Sequence, residues 1–143
     1  MAEGTQGKPP SKTVVTWVTD QQFDGGRASG GPTIHLDGRG ATGPSPVDAL
    51  VIALAGCTGV DIVDILAKRR TPVESLRMEL TGERANATPA RIAAVDIQYY
   101  IKGAGIERVH AERAIELAVT KYCSVRDSLD PNLPIRWTLH LES

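Results

Sequence analysis

Hydrophobic and polar residues follow two rhythms along the chain. Thr13–Thr19 (TVVTWVT) is β-branched and aromatic, which predicts a strand. The glycine-rich stretch Gly25–Gly31 reads as a turn between Gln21–Phe23 and a short strand at Thr33–Leu36, which Asp37-Gly38 closes. Further on, Leu76, Met78 and Leu80 alternate with Arg77, Glu79 and Thr81. Val95, Ile97, Tyr99 and Ile101 alternate with Asp96, Gln98 and Tyr100. The intervening Ala85–Ala90 suits an antiparallel hairpin. Ile135–Leu141 alternates once more and predicts a half-buried last strand.

Two segments carry a helical pattern instead. In Ser45–Arg70, Ser45 is a good N-cap, Pro46 suits the first helical position and Asp48 completes a variant capping box. Lys68, Arg69 and Arg70 place cations in the last turn, and Asp64 and Lys68 form an i,i+4 pair. Ile106–Tyr122 predicts an amphipathic helix whose apolar stripe is Ala111, Ile115, Ala118 and Tyr122, with Cys123 near its end. The order of elements predicts an α+β fold with a mainly antiparallel sheet and two longer helices. Met1–Ser11 reads as a loose tail, and residues 12–143 as a single domain.

The first helix is apolar nearly all round from Val47 to Val60, apart from Asp48 and Thr58. One small sheet covers only one side of such a helix, so the other side calls for a second layer or a second subunit. The uncharged run Ala49–Val60 is bounded by Asp48 and Asp61 and is short against the roughly 20 residues of a bilayer span, so no membrane association is expected. Sixteen Lys+Arg against seventeen Asp+Glu leave no cationic surplus for nucleic acid. The N-terminus has no apolar signal core, and two distant cysteines are not the staple pattern of a small secreted domain. A reducing cytoplasm is the expected compartment.

Candidate chemistry centres on Cys57, which glycines flank in GCTG. A free cysteine most often simply fills core space. Asp61, one turn on, raises the thiol pKa unless a cation neutralises it, so a reactive Cys57 requires an Arg from elsewhere. His35, His110 and His140 are dispersed without metal-ligand spacing, and no phosphate-binding or dinucleotide motif is present. Neither a metal nor another cofactor is expected.

GPSPVDALVIALAGCTGVDIVDIL, followed some sixty residues later by AIELAVTKYCSV, resembles the OsmC/Ohr family of osmotically inducible and organic hydroperoxide resistance proteins. The likeness runs from about Thr13 to the C-terminus and is closest to the OsmC-like branch. It implies an intertwined homodimer and a peroxidatic cysteine on the long helix with a resolving cysteine near the end of the second. Those roles fall on Cys57 and Cys123, which would form a disulfide in turnover. It further implies organic hydroperoxides as substrates and an external dithiol as reductant. Arg27 matches the family's supporting Arg. The supporting Glu is absent, its place taken by Val47, or by Asp48 with a slip of one position. Nine residues along a straight helix put Asp48 about half a turn from Cys57 and about 13 Å away, so Asp48 is a capping residue first. Asp48 and Asp61 complete the candidate set. A non-catalytic binder of a hydrophobic small molecule, or a thiol redox sensor, is the alternative from another class.

Overall fold

The computed structural model describes residues 7–142. The expected tail therefore lies partly outside the described residues, and its remaining part, residues 7–11, is exposed without regular structure. The chain divides into two compact units, one ending at Ala49 and one beginning at Leu50.

The first unit is an antiparallel meander of β1 (Thr13–Thr19), β2 (Gln22–Arg27) and β3 (Thr33–Asp37). Gly25 and Gly26 lie inside β2, not in the turn that their composition suggested. A Cβ on Gly25 would meet the Val15 side chain at 3.3 Å, and one on Gly26 would meet Thr33 Cγ2 at 3.0 Å. These glycines let neighbouring strands close up, whereas Gly30 and Gly31, at φ 100° and 110°, make the turn. The register puts Val15, Trp17, Phe23 and Ile34 on one face of the sheet, and all four side chains are exposed.

Asp37 organises the loop that follows. It is buried and accepts the N–H groups of Arg39, Ala41 and Thr42 and the Thr42 hydroxyl, at 2.9–3.2 Å. Those bonds, led by the one from Arg39, hold its carboxyl down to about 2. At the end of the loop the expected capping box forms. The Ser45 hydroxyl accepts from Asp48 N–H at 3.1 Å, and Asp48 Oδ2 accepts from Ser45 N–H at 3.0 Å.

The second unit builds the core. The long helix α1 (Pro46–Lys68) ends with the Asp64–Lys68 ion pair at 3.0 Å. Leu54, Ile62 and Leu66 are buried on one side of α1, while Ile52, Val60 and Val63 on other sides remain exposed. Strands β4 (Ser75–Arg84) and β5 (Ile92–Lys102) form the expected hairpin, with Leu80 opposite Ile97 and Met78 opposite Tyr99. The last strand, β6 (Ile135–Glu142), pairs parallel to β5, an exception to the antiparallel pattern. Parallel pairing needs a crossover, which α2 (Arg108–Leu117) and the residues after it supply. Val95, Ile97, Tyr99 and Ile101 alternate inward along β5 to meet Ala111, Ala114 and Ile115 in the core. Each fully buried Leu or Ile side chain contributes about 1.5–3 kcal/mol. On the outer face of this sheet Arg77 lies over the Tyr100 ring, which stacks on His140.

As expected from Ser45–Arg70, α1 is one continuous helix; at 23 residues it is long and apolar enough by length and composition to cross a membrane, a test that the core helix of a soluble protein also passes, and a third of its most apolar stretch is buried within the fold. One sequence expectation needs correction here. The second helix does not run unbroken to Tyr122. It opens into a π-turn over Ala118–Tyr122, followed by the single turn α3 (Ser124–Asp127).

Candidate active site: a facing pair of thiols

The π-turn decides where Cys123 points. In an unbroken α-helix Tyr122 continues the stripe of Ala111, Ile115 and Ala118. Here Cys123 N–H donates to the Ala118 carbonyl five residues back, at 3.1 Å. One residue too many in the turn advances the register by one position. Tyr122 is thrown outward to 49% exposure, and Cys123, at 4%, takes the inward place.

Cys57 comes to the same point from α1. Thr58 and Gly59, the next two residues, are buried, and Cys57 itself is half-buried against the core. The flanking glycines differ in role. A Cβ on Gly59 would meet Met78 Cε at 3.1 Å, so Gly59 lets β4 approach the helix, whereas Gly56 faces open space. Both cysteines are free, and Cys57 is near enough to act on the Cys123 thiol. Burial first, and then the neighbouring Cys57, push the Cys123 thiol up to about 11. The Arg126 N–H, donating to Cys123 Sγ at 3.3 Å, pulls the other way. Cys123 is thus held as a neutral S–H beside the Cys57 sulfur at ordinary pH.

Sequence reading missed the support beneath this pair. Tyr99 is fully buried, and its hydroxyl donates to Thr58 Oγ1 at 2.9 Å. The Thr58 hydroxyl in turn donates to the Ala55 carbonyl at 3.0 Å. Burial pushes the Tyr99 phenol up to about 12, so it stays protonated. The only signal in the sequence is a Tyr among aliphatics at an inward position of a strand, where its O–H needs a partner.

The other candidates are dispersed. Asp48 serves as a cap. Asp61, one turn past Cys57, has its Oδ2 shut off from solvent with no hydrogen-bond partner among the described residues. A buried carboxylate oxygen without a donor is costly. Arg27 ends β2 in the first unit and is exposed. Three other arginines are engaged elsewhere. Arg39 pairs with Asp20 at 2.8 Å, Arg84 Nε donates to the Ala90 carbonyl at 2.7 Å, and Arg126 caps the carbonyls of Asp130, Pro131 and Leu133.

The family model for OsmC-like protein matches residues 38–138, a span that includes both cysteines. The chain belongs to the OsmC-like family. It is similar to protein YhfA of Escherichia coli strain K12, with 32% identity over 111 residues, 78% of this chain and 83% of that protein. Its fold is similar to that of an OsmC-like protein from Mycoplasma pneumoniae, with a TM-score of 0.78 at 18% identity over 94% of this chain and 99% of that one. It is also similar to the organic hydroperoxide resistance protein OhrB of Bacillus subtilis, with a TM-score of 0.61 at 11% identity over 92% and 98%. At these identities the solved structures speak for the fold alone. An α+β fold with a long central helix is what the sequence had predicted.

Proposed function

We propose that this OsmC-like protein reduces organic hydroperoxides with Cys57 as the attacking thiol and Cys123 as the resolving one. The observation that carries the reading is the nearness of the two free cysteines, Cys57 midway along α1 and Cys123 at the end of the π-turn, close enough for the first to perturb the second. The Cys57 thiolate attacks the terminal peroxide oxygen. The O–O bond breaks, and the alkoxide leaves and takes up a proton as an alcohol. Cys57 becomes a sulfenic acid. The Cys123 sulfur then displaces the hydroxyl from Cys57, its proton leaves with that hydroxyl as water, and the disulfide forms. An external dithiol supplies two electrons and two protons to restore both thiols. No metal or other cofactor enters this cycle. A reducing cytoplasm suits a protein that must be re-reduced in each turnover.

Arg27 is the proposed cation for Cys57, offsetting Asp61, and the engagement of Arg39, Arg84 and Arg126 with other partners supports that choice. An intertwined homodimer accompanies the proposal. The open faces of α1 and of the β1–β3 sheet carry Ile52, Val60, Val63, Val15, Trp17 and Ile34, more exposed large apolar residues than a small monomer usually shows together. Light scattering should give a dimer at micromolar concentration, and a folded monomer would remove that part.

The central test is cumene hydroperoxide consumption with dithiothreitol, together with intact mass after substoichiometric peroxide. Wild type should lose two hydrogens, Cys57→Ser should be inert, and Cys123→Ser should gain oxygen. Wild type gaining oxygen without a disulfide would overturn the resolving role. It would also favour the sensor or binder reading, for which the apolar cavity of about 410 Å³ beside Leu50, Leu54 and Ile92 is a suitable feature. Arg27→Ala should slow alkylation of Cys57, and an unchanged rate would remove Arg27 from the site.

A further inference from the structure

We propose that the reducing dithiol enters by the cavity behind Cys123 and attacks the Cys123 sulfur, expelling Cys57. The proposal rests on the cysteine cycle above and adds where the second half of that cycle takes place. The cavity measures about 470 Å³. Cys123, Lys121 and Arg126 line it together with the apolar wall of Leu129, Leu133 and Ile135, and no residue of α1 takes part. It therefore gives a way to Cys123 that does not run along α1, the helix that carries Cys57.

The chemistry sets the direction of approach. Thiolate displacement at a disulfide sulfur runs in line, with the incoming sulfur opposite the leaving one. An attack on Cys123 must arrive from the side away from Cys57, and a cavity lined by Cys123 but by no residue of α1 offers such an approach. The apolar cavity beside Leu50, Val51 and Leu54 lies along the N-terminal half of α1 and has neither cysteine in its lining. The two cavities share only Leu129 and Leu133 as walls, and of the two only the one behind Cys123 touches a cysteine.

Leaving-group chemistry points the same way. Displacement is faster when the departing thiol is the more acidic one. Burial holds the Cys123 thiol at about 11, so its expulsion is the harder event and falls to the second, intramolecular step. The Arg126 guanidinium is occupied by three backbone carbonyls, which leaves the exposed Lys121, over the Tyr122 ring, as the cation for an incoming thiolate in a lining that also holds Asp127. In the step, the reductant's thiolate bonds to Cys123 Sγ, the S–S bond breaks and Cys57 departs as thiolate. The second thiol of the reductant, once deprotonated, attacks its own mixed-disulfide sulfur. Cys123 is released and takes up a proton, and the reductant leaves as a cyclic disulfide.

The test begins from disulfide made with diamide, so that it does not depend on peroxide. The oxidised protein is exposed briefly to 2-mercaptoethanesulfonate, acid-quenched, capped with N-ethylmaleimide and peptide-mapped. The sulfonate adduct is expected on Cys123 and the maleimide on Cys57, in at least tenfold excess over the reverse, and the reverse pattern overturns the proposal. Leu133→Trp, which fills the cavity, should slow reduction by dithiothreitol about tenfold while leaving diamide oxidation unchanged. Lys121→Glu, a surface change that spares the fold, should slow the sulfonate thiol several-fold and leave cysteamine no slower. Unchanged reduction rates in a folded Leu133→Trp protein, or in Lys121→Glu, overturn the proposal, as does failure of diamide to join the two cysteines. If diamide-made disulfide opens through Cys123 but peroxide never makes it, the peroxidase reading fails and this inference stands.

Discussion

The two units of this chain solve the folding problem in opposite ways. From Leu50 onward, apolar side chains such as Ile62, Leu66, Ile97 and Ile115 are fully buried. Before Ala49, Val14, Val15, Trp17 and Ile34 are all more than half exposed, and the organising residue is a carboxylate, Asp37. The first unit thus lacks the apolar burial that offsets backbone ordering, which costs about 1–2 kcal/mol per residue. A three-stranded meander with an uncovered apolar face is marginal by itself. The comparison teaches that one unit buries a core of its own while leaving a face of α1 open, whereas the other is shaped by local hydrogen bonds and awaits cover, for which a second copy is the proposed source.

The largest effect should come from paired truncations. Ile97→Ala is expected to cost about 2–5 kcal/mol in urea unfolding, at any protein concentration. Ile34→Ala should cost as much only if a second copy covers it, and its cost should then grow on dilution. A loss below about 0.5 kcal/mol at every concentration would mean that the sheet face stays open.

A smaller effect is expected at the strut under the thiols. Tyr99→Phe should cost about 1 kcal/mol, because Thr58 keeps its bond to Ala55. Tyr99→Phe combined with Thr58→Val should cost less than the sum of the two, since an apolar pair of matching shape leaves no orphan. A double-mutant cycle measures the coupling, and zero coupling would discount the bond.

The pH predictions separate the two units most finely. Asp37 is lowered from 3.8 to about 2, so its contribution is complete above pH 4 and is lost as pH falls through 2. Asp37→Asn should remove that acid-side slope in the first unit, read from Trp17 fluorescence. Cys123 is raised from 9.0 to about 11, so its contribution is complete below pH 9 and is lost as pH rises through 11. Cys123→Ser should flatten the alkaline limb and leave the acid limb untouched, and equal alkaline slopes would show that burial does not hold that proton.

How much was legible in the sequence follows the range of the interactions involved. The capping box at Ser45 and Asp48, the Asp64–Lys68 pair, β1 and the β4–β5 hairpin are set by residues a few positions apart, and periodicity shows them. The apolar surplus of α1 was legible too, because composition alone shows more apolar surface than one sheet covers. The parallel pairing of β6 was not, since which neighbour a strand takes depends on the crossover and not on alternation. Nor was the role of Gly25 and Gly26, because a glycine between close strands and a glycine in a turn look alike in sequence.

The sequence by itself determined that two cysteines ride on two helical segments, one of them apolar on every side. Only the tertiary structure decided that they meet. A helical stripe is a statement of angle, and one extra residue in the turn from Ala118 to Tyr122 shifts that angle enough to exchange Tyr122 for Cys123 at the core. No local pattern announces a π-turn, because its hydrogen bonds are no better than those of the helix it replaces. What the turn achieves is visible only in the packed chain, where the small thiol of Cys123 is buried in the core and the Tyr122 ring stands outside it.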